Sequence, residues 1–376
     1  MRVLLVINSL GGGGAERVMS WLANQLAEDG HSVHLLIRSE KNTDVDQVDQ
    51  AVTVLRHIPR NTQLVASPAP SRSRKRQRRL LDRARRVSDN ISFTVAVRKT
   101  ALKTDADAVL SFIDVMNVKV AVAMLATKKR VVLSERVDPV FHQLGRFEFL
   151  RPILYRQASC VVVQSGSIAS RISRDWGIHD VRVIGNPSPQ VQQRPKSADE
   201  RPLRVLAVGR LYDQKNHVSL IAAWSKLGAS RAGWQLHVCG DGPERERIEQ
   251  MITALGLEES VLLRRRVDDI ANEYNNARIF VLPSKYEGFP NALIEAMAWG
   301  CAPLATDCPG SSGEILQEGR AGVLVPTDDV DALTDALRRL MDDPELTATY
   351  SARAMDRVKD FSESSVYANW LDALNS

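Results

Sequence analysis

Apolar residues along this chain gather in short runs rich in valine, leucine and isoleucine, with little polar alternation inside each run. Runs of that kind suit strands buried on both faces, the setting of a parallel sheet. They fall at 3–8, 33–37, 52–57, 108–113, 130–134, 160–164 and 182–185, and a second series at 204–208, 235–239, 261–265, 279–283, 302–305 and 322–325. Helical spacing fills the intervals, so the pattern predicts strand–helix alternation and doubly wound α/β sheets. Two series fit two Rossmann-like domains better than one thirteen-stranded sheet. The break falls where Asn186-Pro187-Ser188-Pro189-Gln190 leads into a polar stretch before Leu203 restarts the pattern. The reading is a first domain over 1–185, a linker over 186–202 and a second domain over 203–358. A last segment, 359–376, has Val366, Tyr367, Trp370, Leu371 and Leu374 at helical spacing. Open α/β sheets bind ligands beyond the carboxyl ends of their strands, which makes a cleft between the two sheets the expected site.

Composition narrows the class. The 376 residues are 44% hydrophobic and 25% charged, ordinary for a globular chain with real cores. Four cysteines (Cys160, Cys239, Cys301, Cys308) are scattered without CxxC spacing, which fits free thiols in a reducing compartment better than disulfides or zinc. The first apolar run stops at Asn8 and is followed by glycines instead of a cleavage site, so it reads as a strand and not a signal peptide. Runs such as 120–126 are far short of the ~20 residues that span a bilayer. The expectation is a cytoplasmic chain that does not cross a membrane.

Charge is concentrated in one place. The net charge is +5, yet 72–86 alone holds nine Arg or Lys and one Asp. Ser67-Pro68-Ala69-Pro70-Ser71 interrupts the sheet pattern, and 72–91 then reads as a helix. Arg72, Arg76, Arg79, Arg83 and Arg86 share one stripe; Leu80, Ala84, Val87 and Ile91 share a neighbouring one. A basic amphipathic helix suits an anionic membrane surface or a polyphosphate. Nucleic acid is the other polyanion such a stripe fits, but no aromatic interleaving or nucleic-acid module accompanies it. A plain solvated helix is the remaining reading.

Three loops carry candidate chemistry. Gly11-Gly12-Gly13-Gly14-Ala15-Glu16 joins the first strand to the first helix, where glycines allow close backbone approach and a helix start offers N–H groups to an anion. A dinucleotide site would want an acidic residue ending the second strand; Arg38 stands there, which weakens a nicotinamide-cofactor reading. In the second domain, Gly209-Arg210-Leu211-Tyr212-Asp213-Gln214-Lys215 again follows a first strand and places two cations at the sheet edge. Arg and Lys there can neutralise a departing diphosphate without a metal. The most specific string is Lys285-Tyr286-Glu287-Gly288-Phe289-Pro290-Asn291-Ala292-Leu293-Ile294-Glu295, a strand-to-helix loop with carboxylates eight positions apart. Its helix start suits phosphate oxygens, one carboxylate suits sugar hydroxyls, and the other suits a ribose.

Gly13-Gly14-Ala15-Glu16, Gly209-Arg210 with Lys215, Gly240-Asp241-Gly242-Pro243 and the Glu287-to-Glu295 string resemble, in order along nearly the whole chain, the retaining family 4 glycosyltransferases of GT-B fold. The resemblance implies two Rossmann-like domains facing each other across a cleft and a C-terminal helix crossing back to the first. It implies that Glu287 contacts the donor sugar, Glu295 the ribose, and Arg210 and Lys215 the diphosphate, with the Gly13–Gly14 loop closing over donor and acceptor. Donor contacts extend to Gly209, Val267, Gly288, Phe289, Pro290, Asn291, Ala292 and Leu293. Two departures stand out. The family's usual Gly-aromatic pair near the base is replaced by Arg264-Arg265-Arg266-Val267-Asp268. Where many members have a histidine, the chain reads Ser134-Glu135-Arg136, as in the subgroup that extends lipid-linked or capsular saccharides; a salt-bridged strand end is the structural alternative.

The expectation is therefore a retaining transferase using a UDP-sugar as donor substrate, with Glu287, Arg210 and Lys215 central and neither metal nor cofactor required. A lipid-linked or oligosaccharide acceptor would meet Glu16, Glu135, Arg136, Arg76, Arg79 and Arg83. The enzyme would work at the inner face of the cytoplasmic membrane and bind no nucleic acid. A non-hydrolysing UDP-sugar epimerase, a non-enzymatic protein binding anionic surfaces or nucleic acid, and, weakest, a dehydrogenase are the alternatives.

Overall fold

In the computed structural model, residues 1–11, 13–38, 48–57, 72–141, 144–145, 148–265 and 267–376 are described, with backbone alone for 72–86. The chain forms two compact units. The first comprises Met1–Val163, Ile168–Ile184 and Tyr367–Ser376; the second comprises Gln164–Ser167 and Gly185–Val366.

The first unit holds strands β1 (Arg2–Ile7), β2 (Ser32–Ile37), β3 (Thr53–Arg56), β4 (Ala108–Phe112), β5 (Arg130–Ser134), β6 (Cys160–Val163) and β7 (Val181–Val183). They make one sheet in the order β3-β2-β1-β4-β5-β6-β7, parallel throughout. The second unit holds β8 (Arg204–Val208), β9 (Gln235–Cys239), β10 (Val261–Arg264), β11 (Ile279–Leu282), β12 (Ala302–Thr306) and β13 (Val323–Val325), ordered β10-β9-β8-β11-β12-β13 and also parallel. All thirteen predicted strands form, within a residue or two of their expected ends. Central strands such as β4, β11 and β12 are buried at every position, the physical source of their unbroken apolar runs. The α/β class with two Rossmann-like sheets is thus as expected.

In each sheet the strand order reverses direction at one point, between β1 and β4 in the first and between β8 and β11 in the second. Such switch points leave a crevice at the carboxyl ends of the strands. The glycine loop after β1, the Gly209 loop after β8 and the Glu287 loop after β11 all start there.

Three other elements bear on function. The basic segment lies at the start of a 32-residue helix, Arg72–Lys103, longer than the helix expected over 72–91. The stripe of Arg72, Arg76, Arg79, Arg83 and Arg86 falls among side chains outside the described residues; of its apolar neighbours, Val87 and Ile91 are exposed. The last helix, Glu363–Asn375, docks its end within the first unit. Trp370 is fully buried against Phe112, ring centroids 5.4 Å apart, and Tyr367 Oη donates to Asp29 Oδ2 at 2.7 Å. The stretch expected as a linker clusters with the second unit. There the buried Arg201 guanidinium donates to the carbonyls of Lys196, Ala277, Trp299 and Gly300, collecting backbone acceptors from loops far apart in sequence.

Candidate active site

The loop after β11 is shaped from beneath. Ser284 is fully buried and receives the Thr306 hydroxyl on its carbonyl, which fixes where the strand ends. The Glu287 backbone N–H donates to the Pro309 carbonyl at 2.9 Å, and Ser311 Oγ donates to the Gly288 carbonyl at 2.7 Å. Gly310 lies between them at φ +135°, and a Cβ there would overlap the Glu287 carbonyl oxygen. This is a close approach that only glycine permits.

The Gly209 loop meets it side-on. The Lys285 backbone N–H donates to the Gln214 carbonyl at 2.8 Å, and Gln214 Nε2 returns a bond to the Tyr286 carbonyl at 2.8 Å. Within this double clasp, Lys215 Nζ lies 2.5 Å from Glu287 Oε1, which also accepts from Ser284 Oγ at 2.6 Å. Glu287 is 5% exposed. The lysine stem runs past Gly209, where a Cβ would stand in ordinary contact 3.5 Å from Lys215 Cδ. Gly240 must be glycine, because a Cβ would run into the Gly209 carbonyl.

Other predicted residues take distinct places. Arg210 is exposed, its guanidinium 5.2 Å from the Tyr212 ring centroid, a stacked pose apart from the Lys215–Glu287 pair. Asn291 opens the helix Asn291–Ala298, with Ala292 and Leu293 in its first turn, and its Oδ1 accepts from Asn186 Nδ2 at 2.5 Å. Glu295, in the second turn, accepts from the buried Tyr274 hydroxyl at 2.9 Å. Phe289 and Val267 pack partly buried against the apolar cluster under this helix, and Pro290 is the residue before its first turn.

In the first unit, Gly13 is the extended residue before the helix Gly14–Glu28, and the Glu16 carboxylate in its first turn folds back over it. Glu135 is buried and bonded to Arg151 Nη2 at 2.7 Å, to the Tyr155 hydroxyl and to Asn117 Nδ2 at 3.3 Å. Arg136 lies buried with its guanidinium carbon 4.6 Å from the Phe112 ring centroid, and burial holds its pKa down at about 9. Arg76, Arg79 and Arg83 are outside the described side chains. The four cysteines are buried free thiols, and burial raises the pKa of each.

Sequence reasoning passed over Ser284, Tyr274, Arg151, Tyr155 and His217. The first stands two positions beyond the strand, a usable signal; Tyr274, Arg151 and Tyr155 have none, since each meets its partner only through the tertiary fold. His217 is buried beside Lys215, and burial first and that lysine second push its pKa down to about 4. It is a neutral imidazole under the site.

The second unit thus brings an ammonium–carboxylate pair and a helix start to the switch point of a parallel α/β sheet. Residues 12–188 match the family model described as Glycosyltransferase Family 4, and residues 190–357 the one described as Glycosyl transferases group 1. A Campylobacter jejuni protein, GalNAc-alpha-(1->4)-GalNAc-alpha-(1->3)-diNAcBac-PP-undecaprenol alpha-1,4-N-acetyl-D-galactosaminyltransferase, is 24% identical over 375 residues, 99% of this chain and 97% of that protein. A second from the same organism, N-acetylgalactosamine-N,N'-diacetylbacillosaminyl-diphospho-undecaprenol 4-alpha-N-acetylgalactosaminyltransferase, is 27% identical over 249 residues, 63% of this chain and 67% of that one. Anabaena Alr3699/HepE, solved in complex with UDP, superposes with a TM-score of 0.80 at 19% identity over 100% of this chain and 99% of its own, which shows the shared fold. This chain belongs to the group 1, family 4 glycosyltransferases of GT-B fold. It is a glycosyltransferase; the epimerase, dehydrogenase and non-enzymatic readings fall away.

Proposed function

We propose that the enzyme transfers a hexose or N-acetylhexosamine from a UDP-sugar, with retention at the anomeric carbon, to a saccharide carried on undecaprenyl diphosphate. The observation that carries this is the Lys215–Glu287 pair: one cation for a diphosphate and one buried acceptor for sugar hydroxyls, 2.5 Å apart. The helix start at Asn291 adds backbone N–H groups and a favourable dipole for phosphate oxygens. Glu295 is positioned by Tyr274 for the ribose, and Arg210, free to swing from Tyr212 in an exposed loop, is the second diphosphate cation.

The reaction in this reading breaks the bond between the anomeric carbon and the β-phosphate oxygen, and the electron pair leaves with UDP. The acceptor hydroxyl oxygen bonds to the anomeric carbon on the same face, and its proton passes to an oxygen of the departing phosphate. Lys215 and Arg210 offset the developing charge, so neither a carboxylate nucleophile nor a divalent ion is needed. Glu16 and Arg136 serve the acceptor side, and Glu135, engaged by Arg151, is a positioning residue for the strand end that bears Arg136.

The acceptor class is supported by the names of the two Campylobacter relatives, both acting on undecaprenol-linked saccharides. The basic segment at 72–86 supports docking at the anionic inner face of the cytoplasmic membrane, with Arg76, Arg79 and Arg83 toward lipid or its diphosphate. Among the described residues no helix is long and apolar enough to cross a bilayer.

The test is a panel of UDP-sugars with and without lipid-linked acceptor, in buffer and in chelator, followed by NMR of the new linkage. UDP release that requires acceptor, survives chelator and gives a retained anomer is the expected result. An inverted anomer, or activity erased by chelator, overturns the mechanism.

A further inference from the structure

Two basic side chains and a histidine of the first unit, none of them given a role above, meet at one ring. Arg38 follows the last residue of β2, and His57 follows β3; the His57 backbone N–H donates to the Ile37 carbonyl at 2.8 Å and ties the two strand ends together. Both side chains meet the fully buried ring of Phe93, from the long helix. The His57 imidazole stands edge-on with centroids 5.5 Å apart, and the Arg38 guanidinium carbon is 5.8 Å from the ring centroid. Lys119, on the helix Asp114–Met124, brings its Nζ to 5.8 Å from the same centroid.

Lys119 is the telling residue. It is 7% exposed, and its Nζ has no hydrogen-bond partner among the described residues. A buried ammonium without an acceptor is costly, and the face of one phenyl ring offsets only part of that cost. Burial first and Arg38 second hold its pKa down at about 8, with no carboxylate acting against them. The Asp89 charge acts on His57 in the opposite sense to burial and Arg38, and His57 Nε2 lies 3.2 Å from Ser92 Oγ. Two cations and an imidazole gathered round an apolar floor, one of the cations an orphan, make a site short of an anion.

We propose that Arg38, His57 and Lys119 form an anion-binding site, at the carboxyl edge of the first sheet, that takes a phosphate or diphosphate group. Tetrahedral phosphate oxygens can accept from a guanidinium, an imidazole and an ammonium together, where one carboxylate would satisfy fewer. The carboxyl edge of a parallel sheet is where such ligands settle. The basic turns at 72–86 precede Phe93 on the same helix, so a phosphate held at this ring lies on the element that also carries the densest positive charge. This assignment does not depend on the donor reading, because no donor residue takes part.

Calorimetric titration of the full chain with inorganic pyrophosphate at pH 7, with the donor site filled by saturating UDP, tests it. Lys119→Met should weaken pyrophosphate binding by about tenfold or more, Arg38→Gln similarly, with UDP affinity within about twofold of the wild type. Lys119→Met should also melt no lower than the wild type, since an uncompensated charge is removed. Equal pyrophosphate affinity in the wild type and both variants overturns the site, as does a loss of UDP binding in step with it. A wild type that binds no UDP would sink the donor reading and leave the pyrophosphate comparison readable. Geranyl diphosphate in a parallel titration identifies the source: tighter binding than pyrophosphate assigns a lipid-borne diphosphate, equal binding a free anion.

Discussion

Lys215 and Glu287 are 72 positions apart in the chain and 2.5 Å apart in space, joined where two loops exchange backbone hydrogen bonds at the switch point of the second sheet. The carboxylate is buried and the lysine partly so: the side chains are 6% and 18% exposed. In the proposed mechanism such a pair meets a charged substrate with its charges already fixed in place.

Glu287→Gln keeps the shape and the Ser284 contact while removing the charge. Turnover of the UDP-sugar should fall by about 100-fold or more, with melting nearly unchanged. Lys215→Ala should lose as much turnover and also lose stability, because it strands a buried carboxylate. Steady-state kinetics beside thermal melts would check both; wild-type kcat in Glu287→Gln would remove that residue from the site.

Gly310→Ala forces a side chain against the Glu287 carbonyl from a backbone at φ +135°. The expected result is a shifted loop, costing about 1–3 kcal/mol, and a KM for the donor raised by about tenfold or more. Denaturant midpoints and donor titrations would report it, and an unaltered KM would mean the loop does not govern donor binding.

His217 gives the site a pH signature. Its folded pKa, near 4, lies below the ordinary 6.5, so the folded state resists the proton that the unfolded chain accepts. The associated stability is fully present above pH 6.5 and is lost as pH falls toward 4. Between pH 7 and pH 5 the wild type should lose about 2 kcal/mol that His217→Gln does not. Urea titrations of both proteins at the two pH values measure the difference; parallel losses would show that the imidazole is not the group responsible.

Trp370→Ala should weaken the first unit although it lies near the end of the chain. The indole is fully buried against Phe112, and removing so large a side chain from a core costs about 3–5 kcal/mol. Tryptophan-deleted protein that unfolds at the same denaturant concentration as the wild type would show that the last helix is dispensable to that unit.

Much of this molecule was written locally. Thirteen apolar runs predicted thirteen strands because a strand buried on both faces cannot alternate polar residues, and β4 and β11 show that burial directly. The Glu287-to-Glu295 string was legible because a strand, a loop and a short helix need neighbouring residues of fixed type. The length of the helix Arg72–Lys103 was less so: its charge is densest in the first turns, while the later turns bury Phe93 and Val97 in the core and carry no comparable basic run.

The sequence alone determined the order of strands and helices, the class of the fold and the loops that carry chemistry, since each follows from residues close together in the chain. Only the tertiary structure decided that Glu135 answers to Arg151, that Glu295 leans on Tyr274, and that Lys119 shares a ring with Arg38 and His57. Those meetings join residues from separate elements, and a buried charge chooses its partner by proximity in space, for which periodicity along the chain has no term.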